Sequence, residues 1–210
     1  MKIRSQAELQ ENVDRDIAQR KKELINLKGL LLNAKAKNEL LLAKCLVVMS
    51  YSHWEGFVKN ATKIYMKYVK FQGLNANQYS QELRSALTYR QIMKNNDSLV
   101  NKIRLTEDCL YNNLALNVDV DDLCDTESNL NYDVLKKILY NVGLRSNAFD
   151  TKEIYINEKI VGDRNKFAHG EIRFYDSDEA IDIADTVINL MDIYRTEILN
   201  ASVQKSFLHP

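Results

Sequence analysis

The chain has 210 residues, of which 45% are apolar and 28% charged, and its 29 basic residues are balanced by 29 acidic ones. This composition is that of a globular protein with a hydrophobic core, and the zero net charge argues against a protein that coats nucleic acid through a global positive field. Six glycines and one proline are few, so long helices are favoured over a turn-rich β fold.

Cysteine spacing and hydropathy indicate where the protein works. Cys45, Cys109 and Cys124 are odd in number and far apart, which argues against a disulfide framework and against a zinc site. We therefore expect a reducing, cytoplasmic setting. The N-terminus MKIRSQAELQ is too polar for a signal peptide, and the most apolar stretch, LLLAKCLVVM (40–49), is too short to cross a membrane.

Helical periodicity dominates the first half of the chain. Ser5 and Glu8 have the spacing of a capping box, and the apolar residues that follow predict an amphipathic helix over residues 6–28. A second, longer helix is predicted from Ala34 to Gln72, with Gly73 as its C-terminal cap. Two helices with weaker patterns are predicted after it, over 74–96 and 98–112.

The second half of the chain predicts three more helices after a polar connection. Residues 113–130 are acidic and rich in asparagine, so we interpret them as a connection that contains a brief strand or an extended loop. A short helix, NYDVLKKILYNVG, is predicted to stop at Gly143. Two further helices are predicted to open at capping-box pairs, Asp150 with Glu153 and Asp176 with Glu179.

The order of these elements predicts an all-α bundle of long amphipathic helices. We treat residues 1–210 as one domain, in which residues 34–200 form the bundle. The sequence leaves open whether the N-terminal helix, 6–28, belongs to the core of that bundle or packs at its periphery.

Residues 164–170, RNKFAHG, place an arginine five positions before one of the three histidines of the chain. One interpretation is structural, in which an amphipathic helix ends there and Gly170 caps it. The other is that Arg164 and His169 form a phosphodiester-cleaving pair, with Asn165 one helical turn before His169. The spacing alone is a weak signal because chance matches to it are common.

Two further stretches accompany this motif. They are YSHWEGFVKN (51–60) and TESNLNYDVLKKILYNVGL (126–144). In this order, the three stretches resemble a bacterial branch of predicted toxin or defence nucleases in the HEPN superfamily, whose signature is R-x4-6-H. The resemblance spans about residues 50–175, and it implies a HEPN-like, up-and-down helical bundle to which the N-terminal helix is an addition.

The resemblance also implies an activity. It is that of a metal-independent endoribonuclease, a toxin or phage-defence effector whose cleft forms between the two protomers of a homodimer. Arg164 and His169 would be catalytic and Asn165 supporting, because histidine titrates near neutral pH and a guanidinium can donate two hydrogen bonds to a phosphate. Attack by the RNA 2′-hydroxyl would leave a 2′,3′-cyclic phosphate and a 5′-hydroxyl. No metal or cofactor is expected, since no ligand cluster accompanies the histidines.

Other residues near the three stretches are candidates for supporting roles. Glu55 is a candidate partner for the Arg164 guanidinium, although a solvated or structural carboxylate is the stronger interpretation. Trp54 is expected in the core. A candidate basic patch for RNA flanks the motif and consists of Lys159, Lys166 and Arg173.

Several questions stay open at this stage. Glu171 stands where some HEPN toxins carry a tyrosine that a partner nucleotidyltransferase modifies, so neutralisation by that route is not expected. An antitoxin or defence-system partner protein is still a candidate.

A five-residue spacing sets Arg164 and His169 about 140° apart around an ideal helix. They converge only through a distorted helix near Gly162 or Gly170, or across a dimer. A non-catalytic HEPN-like module that binds RNA, a nucleotide or a protein is the alternative function.

Overall fold

The computed structural model describes residues 2–94, 98–111, 119–144, 146–168 and 176–209, with the backbone alone described at Leu110 and Ala168. Seven α-helices lie in these ranges: α1 (Gln6–Leu32), α2 (Ala36–Phe71), α3 (Gln81–Lys94), α4 (Leu99–Tyr111), α5 (Tyr132–Asn141), α6 (Gly162–Ala168) and α7 (Ser177–Gln204). A π-helix, Tyr155–Val161, precedes α6, and short 3-10 turns lie at Ala76–Gln78, Val120–Leu123 and Asp150–Lys152. The described ranges contain no strand, only one isolated bridge between Tyr79 and Leu208, so the all-α prediction is confirmed.

The N-terminal helix α1 packs against both α2 and α7. Its direction is antiparallel to α7, because the Gln6 side chain donates to the Ser202 carbonyl at 2.9 Å while Lys21 Nζ lies 2.6 Å from a carboxylate oxygen of Asp192. The apolar stripe of α1 is buried in the main core: Leu9, Val13, Ile17, Leu24 and Leu31. The helix also extends past Gly29 to Leu32 and is longer than the predicted 6–28.

Helices α2 and α7 form the largest helix contact of the bundle and run parallel to each other. Near their first residues the Ser177 hydroxyl donates to Glu39 Oε1 at 2.6 Å, and further along both helices the hydroxyls of Thr62 and Tyr194 share a buried hydrogen bond of 2.5 Å. No helix in the described ranges is long and apolar enough to cross a membrane.

Aromatic side chains fill the centre of the core. The Trp54 ring lies 6.1 Å from that of Phe149 and 6.2 Å from that of Tyr194, and Phe57 packs edge-on against Tyr194 at 6.3 Å. Such tilted and edge-on pairs are favourable beyond the area they bury. Trp54 is fully buried, as predicted.

Helix ends in the first half follow the predicted capping chemistry, except that the capping box of α1 is half formed because Glu8 accepts the N–H of Arg4 and not that of Ser5. Ser5 Oγ accepts the N–H of Glu8 at 3.1 Å, and Glu8 accepts the N–H of Arg4 at 2.7 Å. Gly73, just after α2, has a φ of +66°, the left-handed backbone that a C-terminal glycine cap supplies. The helix predicted over 74–96 is in fact a 3-10 turn followed by α3.

The helical segment that leads to the RNKFAHG motif differs from the prediction in its winding. Residues 150–152 form a 3-10 turn, Tyr155–Val161 a π-helix and Gly162–Ala168 an α-helix. Asp150 does not cap the segment in the predicted way, because its carboxylate accepts the Tyr132 hydroxyl at 2.6 Å. Asp176 does cap α7, accepting the N–H of Glu179 at 2.7 Å.

Helix α4 is the peripheral element of the described chain. Among its described side chains only Cys109 is buried, and none contributes to the main hydrophobic core. Large apolar side chains on α4 are exposed instead: Leu99, Val100, Ile103 and Tyr111.

The contribution of α1 to folding can be tested with two neighbouring residues. Leu24 is fully buried and Ile25 is 56% exposed, so the two substitutions to alanine form a matched pair. We expect Leu24→Ala to lower the free energy of unfolding by about 2–5 kcal/mol and Ile25→Ala by less than about 0.5 kcal/mol. Denaturant unfolding measures both, and equal small effects would mean that α1 is not part of the cooperative core.

Candidate active site

The three stretches that carry the resemblance come together at one place in the fold. The segment 126–131 lies between the middle of α2 and the start of α6, and it bonds to both. Thr126 Oγ1 donates to Glu55 Oε1 at 2.7 Å, and the Leu130 N–H donates to Tyr51 Oη at 2.9 Å. Arg164 Nη2 then donates to the Ser128 carbonyl at 2.7 Å.

Arg164 is held on two sides. Its guanidinium carbon lies 4.1 Å from the centre of the Tyr51 ring, within the range of a cation–π contact. The Ser128 carbonyl fixes one terminal nitrogen, while Nε is buried and has no hydrogen-bond partner among the described residues. The guanidinium is therefore oriented by the fold.

The carbonyl that Arg164 contacts belongs to an unusual turn. Glu127 and Ser128 both have left-handed backbone, with φ values of 53° and 56°, although neither is glycine. Such backbone costs about 1–2 kcal/mol per residue, so surrounding bonds must hold it. Among them are the Thr126 bond to α2 and an ion pair of 2.5 Å between Glu127 and Lys137.

Tyr51 is a site residue that sequence reasoning missed. It is 3% exposed, and burial raises the pKa of its hydroxyl, only partly offset by the Leu130 N–H and by Arg164. Tyr51 therefore stays a neutral phenol near pH 7 and acts as a platform and a tether. The available signal was its position four residues before Glu55, which puts both side chains on one face of α2.

Glu55 does not pair with Arg164: no ion pair joins these two described residues. The carboxylate instead accepts the Thr126 hydroxyl, so Glu55 acts on Arg164 only through the turn that carries Ser128. The structural interpretation of this carboxylate is the one that the geometry favours.

Two lysines of the candidate basic patch are engaged by acidic side chains. Lys166 Nζ lies 3.2 Å from Oδ1 of Asp163, which is itself fully buried, and Lys159 Nζ lies 2.8 Å from Glu179 Oε1. Arg173 lies outside the described residues. Among the described residues, the cations at the motif that no acidic side chain pairs are Arg164 and Lys44, whose Nζ lies 5.9 Å from the centre of the Phe167 ring.

The other predicted site residues stand as follows. Asn165 is half-buried on α6, beside Arg164, and no hydrogen bond joins its side chain to another described residue. His169 and Gly170 lie outside the described residues, so their geometry relative to Arg164 stays a prediction. Within the described ranges, no group of three or more His, Cys, Asp or Glu side chains is placed to hold a metal ion.

The π-helix sets the register of α6. Its last bond runs from the Gly162 N–H to the Asn157 carbonyl, five residues back, and a Cβ at Gly162 would lie 3.2 Å from that oxygen. The Asn157 side chain accepts the N–H of Tyr132 at 2.9 Å, which joins the π-helix to the start of α5. A helical distortion near Gly162 and Gly170 was one predicted route to convergence of Arg164 and His169, which stays a prediction, and π-turns occur often at functional sites.

Comparison with known families identifies the fold. Residues 15–200 match the family described as RiboL-PSP-HEPN, a range that contains all three converging stretches. The chain belongs to this HEPN family. No curated protein and no solved structure matches it significantly. The HEPN-like bundle is thereby confirmed, and HEPN domains are often ribonucleases that act on RNA.

The role of Tyr51 as a tether can be tested by removing its hydroxyl and ring separately. Tyr51→Phe keeps the ring under Arg164 but strips the Leu130 N–H of its acceptor, so we expect a loss of about 1–3 kcal/mol in the free energy of unfolding. Tyr51→Leu should lose more because the cation–π contact also disappears.

The control is Tyr140→Phe, at a side chain that is 55% exposed on α5. Denaturant unfolding gives the stability, and amide exchange at Leu130 gives the local effect. If both tyrosine-to-phenylalanine changes leave exchange at Leu130 equally slow, Tyr51 is not the tether.

Proposed function

We propose that this HEPN-family chain is a metal-independent endoribonuclease. The observation that carries the proposal is the fixed guanidinium of Arg164, stacked on Tyr51 and bonded to the Ser128 carbonyl where the three stretches meet. A guanidinium oriented in advance is suited to the charge that gathers on phosphate during cleavage, because it needs no reorganisation at the moment of reaction.

The proposed reaction uses the RNA itself as nucleophile. The 2′-hydroxyl attacks the adjacent phosphorus, the bond to the 5′-oxygen breaks, and the products carry a 2′,3′-cyclic phosphate and a 5′-hydroxyl. His169 moves protons, taking one from the 2′-hydroxyl or giving one to the leaving oxygen, because an imidazole can exchange a proton near neutral pH. Arg164 meets the phosphate oxygens, and Asn165 orients His169 or contacts the phosphate. DNA, which lacks the 2′-hydroxyl, is not cleaved.

The cleft is proposed to form between two copies of the chain. Arg164 and His169 are five residues apart, and a two-fold axis would bring the arginine of one protomer to the histidine of the other.

Lys166 and Glu55 are proposed as supporting residues. Lys166 forms an ion pair with Asp163, and Glu55 acts through its hydrogen bond with Thr126.

The biological role we propose is that of a toxin or phage-defence effector in the cytoplasm. Its support is the resemblance of the three stretches to a bacterial branch of such nucleases. An antitoxin or a defence-system protein would be the partner that restrains cleavage.

The second candidate is a non-catalytic HEPN module that binds RNA, a nucleotide or a protein. It is favoured by the pairing of Lys159 and Lys166 with acidic groups, which leaves little free positive charge on the described part of the motif.

Cleavage of labelled RNA in excess EDTA tests the enzyme proposal. Wild type should cleave, while His169→Ala and Arg164→Ala should each lose at least about a hundredfold in rate. Arg164→Lys should also fail, because lysine keeps the charge but not the planar contact with Tyr51. The wild-type rate should change between pH 5 and 8, the range in which histidine side chains ordinarily titrate.

Arg15→Ala is the matched control, since the Arg15 side chain is 68% exposed and pairs only with Glu11 on its own helix. Binding of RNA without cleavage, unchanged in His169→Ala, would favour the non-catalytic module. Cleavage that stops in EDTA would contradict the metal-independent mechanism.

Mixing two inactive variants tests the composite site. If Arg164 and His169 act across the dimer, a mixture of Arg164→Ala and His169→Ala protomers rebuilds one intact site in each mixed dimer. Random exchange should then restore about a quarter of wild-type activity. No restoration from a mixture shown to form mixed dimers would mean that both residues act from one chain.

A further inference from the structure

A second cation, Lys44 of α2, stands beside the RNKFAHG motif. Its Nζ lies 5.9 Å from the centre of the Phe167 ring, within the range of a cation–π contact, and Phe167 follows Arg164 by three positions. Lys44 is half-buried, and no acidic side chain among the described residues pairs with it. Lys159 and Lys166, by contrast, are both engaged by carboxylates.

Hydrophobic packing does not explain a lysine at this position. Lys44 is the one charged residue of LLLAKCLVVM (40–49), the most apolar stretch of the chain. Its neighbours one turn away on α2 are all apolar: Leu40, Leu41, Val47 and Val48. An aliphatic side chain would pack against Phe167 as well as the lysine stem does, so the feature that sets Lys44 apart is its ammonium group.

Lys44 and Arg164 belong to one interface between α2 and α6. Lys44 and Tyr51 are seven residues apart on α2, which puts them on the same face, two turns or about 10 Å apart along the axis. Arg164 lies over the Tyr51 ring, and Phe167, one turn later on α6, lies against Lys44. Because the order of the contacts is reversed along the two helices, α6 runs antiparallel to α2 here.

The two cations of the α2–α6 interface suit different phosphates. The planar guanidinium of Arg164, fixed against Tyr51, matches the phosphate that reacts, because that group must be held in one orientation. The ammonium of Lys44 is a point charge on a flexible stem, so it suits a phosphate whose orientation is unimportant. The two turns of α2 between Lys44 and Tyr51 favour contact with neighbouring phosphates of a strand over contact with a single phosphate.

We propose that Lys44 binds the RNA phosphate next to the one that Arg164 contacts, so that the α2–α6 interface holds two successive phosphates of a single strand. This inference rests on the proposed function. The phosphate at Lys44 does not react, so the contact is equally strong before and during cleavage. Lys44 therefore strengthens substrate binding without accelerating the chemical step.

Binding of a labelled, single-stranded 2′-O-methyl RNA at several salt concentrations tests the contact without cleavage, because this RNA has no free 2′-hydroxyl. Lys44→Met removes the charge and keeps a flexible apolar side chain against Phe167. We expect it to reduce the slope of log affinity against log salt by about 0.7, the value for one lost phosphate contact on a single strand. Lys22→Met, at an exposed lysine on α1, is the matched control and should keep the wild-type slope.

A second readout is the cleavage of unmodified RNA. Lys44→Met should raise KM at least about threefold and leave kcat within about twofold, whereas Arg164→Ala should lower kcat. In the binding assay, the double variant should lose about 1.4 in slope, because the two residues hold different phosphates. A double variant that loses no more slope than either single variant would put both cations on one phosphate and overturn the proposal.

The contact and the ribonuclease function can fail separately. Binding without cleavage, with a reduced slope in Lys44→Met, would support the contact and overturn the enzyme. Cleavage by wild type, with an unchanged slope in Lys44→Met or an equal loss in Lys22→Met, would overturn the contact alone, and the lysine stem would then only cover Phe167. Wild type that neither binds nor cleaves RNA would overturn both.

Discussion

One turn of α2 fixes the geometry of the candidate active site. Trp54 packs against Phe149 and Tyr194 in the core, and these contacts fix the rotation of α2 about its own axis. Tyr51 and Glu55 consequently face the 126–131 segment and hold it by two hydrogen bonds. These bonds offset the free-energy cost of the two left-handed residues in the segment. The Ser128 carbonyl then sets the direction of the Arg164 side chain. The guanidinium is thus positioned by α2 in two ways, directly by the Tyr51 ring and indirectly through the 126–131 segment.

Charge at this site is arranged by pairing. The chain as a whole is neutral, and Lys159 and Lys166 are each matched by an acidic group, while Lys44 lies over the ring of Phe167. A long basic track that would hold any nucleic acid is therefore not part of the described motif. The proposed placement of one phosphate by Arg164 suits this arrangement better than strong, sequence-independent attraction, which depends on many simultaneous phosphate contacts.

The sequence predicted most of the bundle but only part of the site. Buried stripes on α2 and α7 follow a 3.6-residue period, and Ser5 and Asp176 cap as their residue types suggest, because these features depend on local pattern. The three stretches were identified, yet Tyr51 was not, since its partners are a backbone N–H and a guanidinium more than 75 residues away. The π-helix was not predicted, because an argument from hydrophobic periodicity assumes the same number of residues per turn along the whole helix. Asp150 was misassigned because Tyr132, eighteen residues earlier, competes for its carboxylate.

The peripheral position of α4 has a consequence for how the protein opens. A helix whose described side chains add nothing to the main core can detach at low free-energy cost, without global unfolding. Its backbone amides would then exchange with solvent long before those of α2, whose buried face runs along both α1 and α7. The molecule would behave as two units of unequal stability: a rigid frame of α1, α2 and α7, against which α6 and its Arg164 are packed, and an outer flap formed by α4.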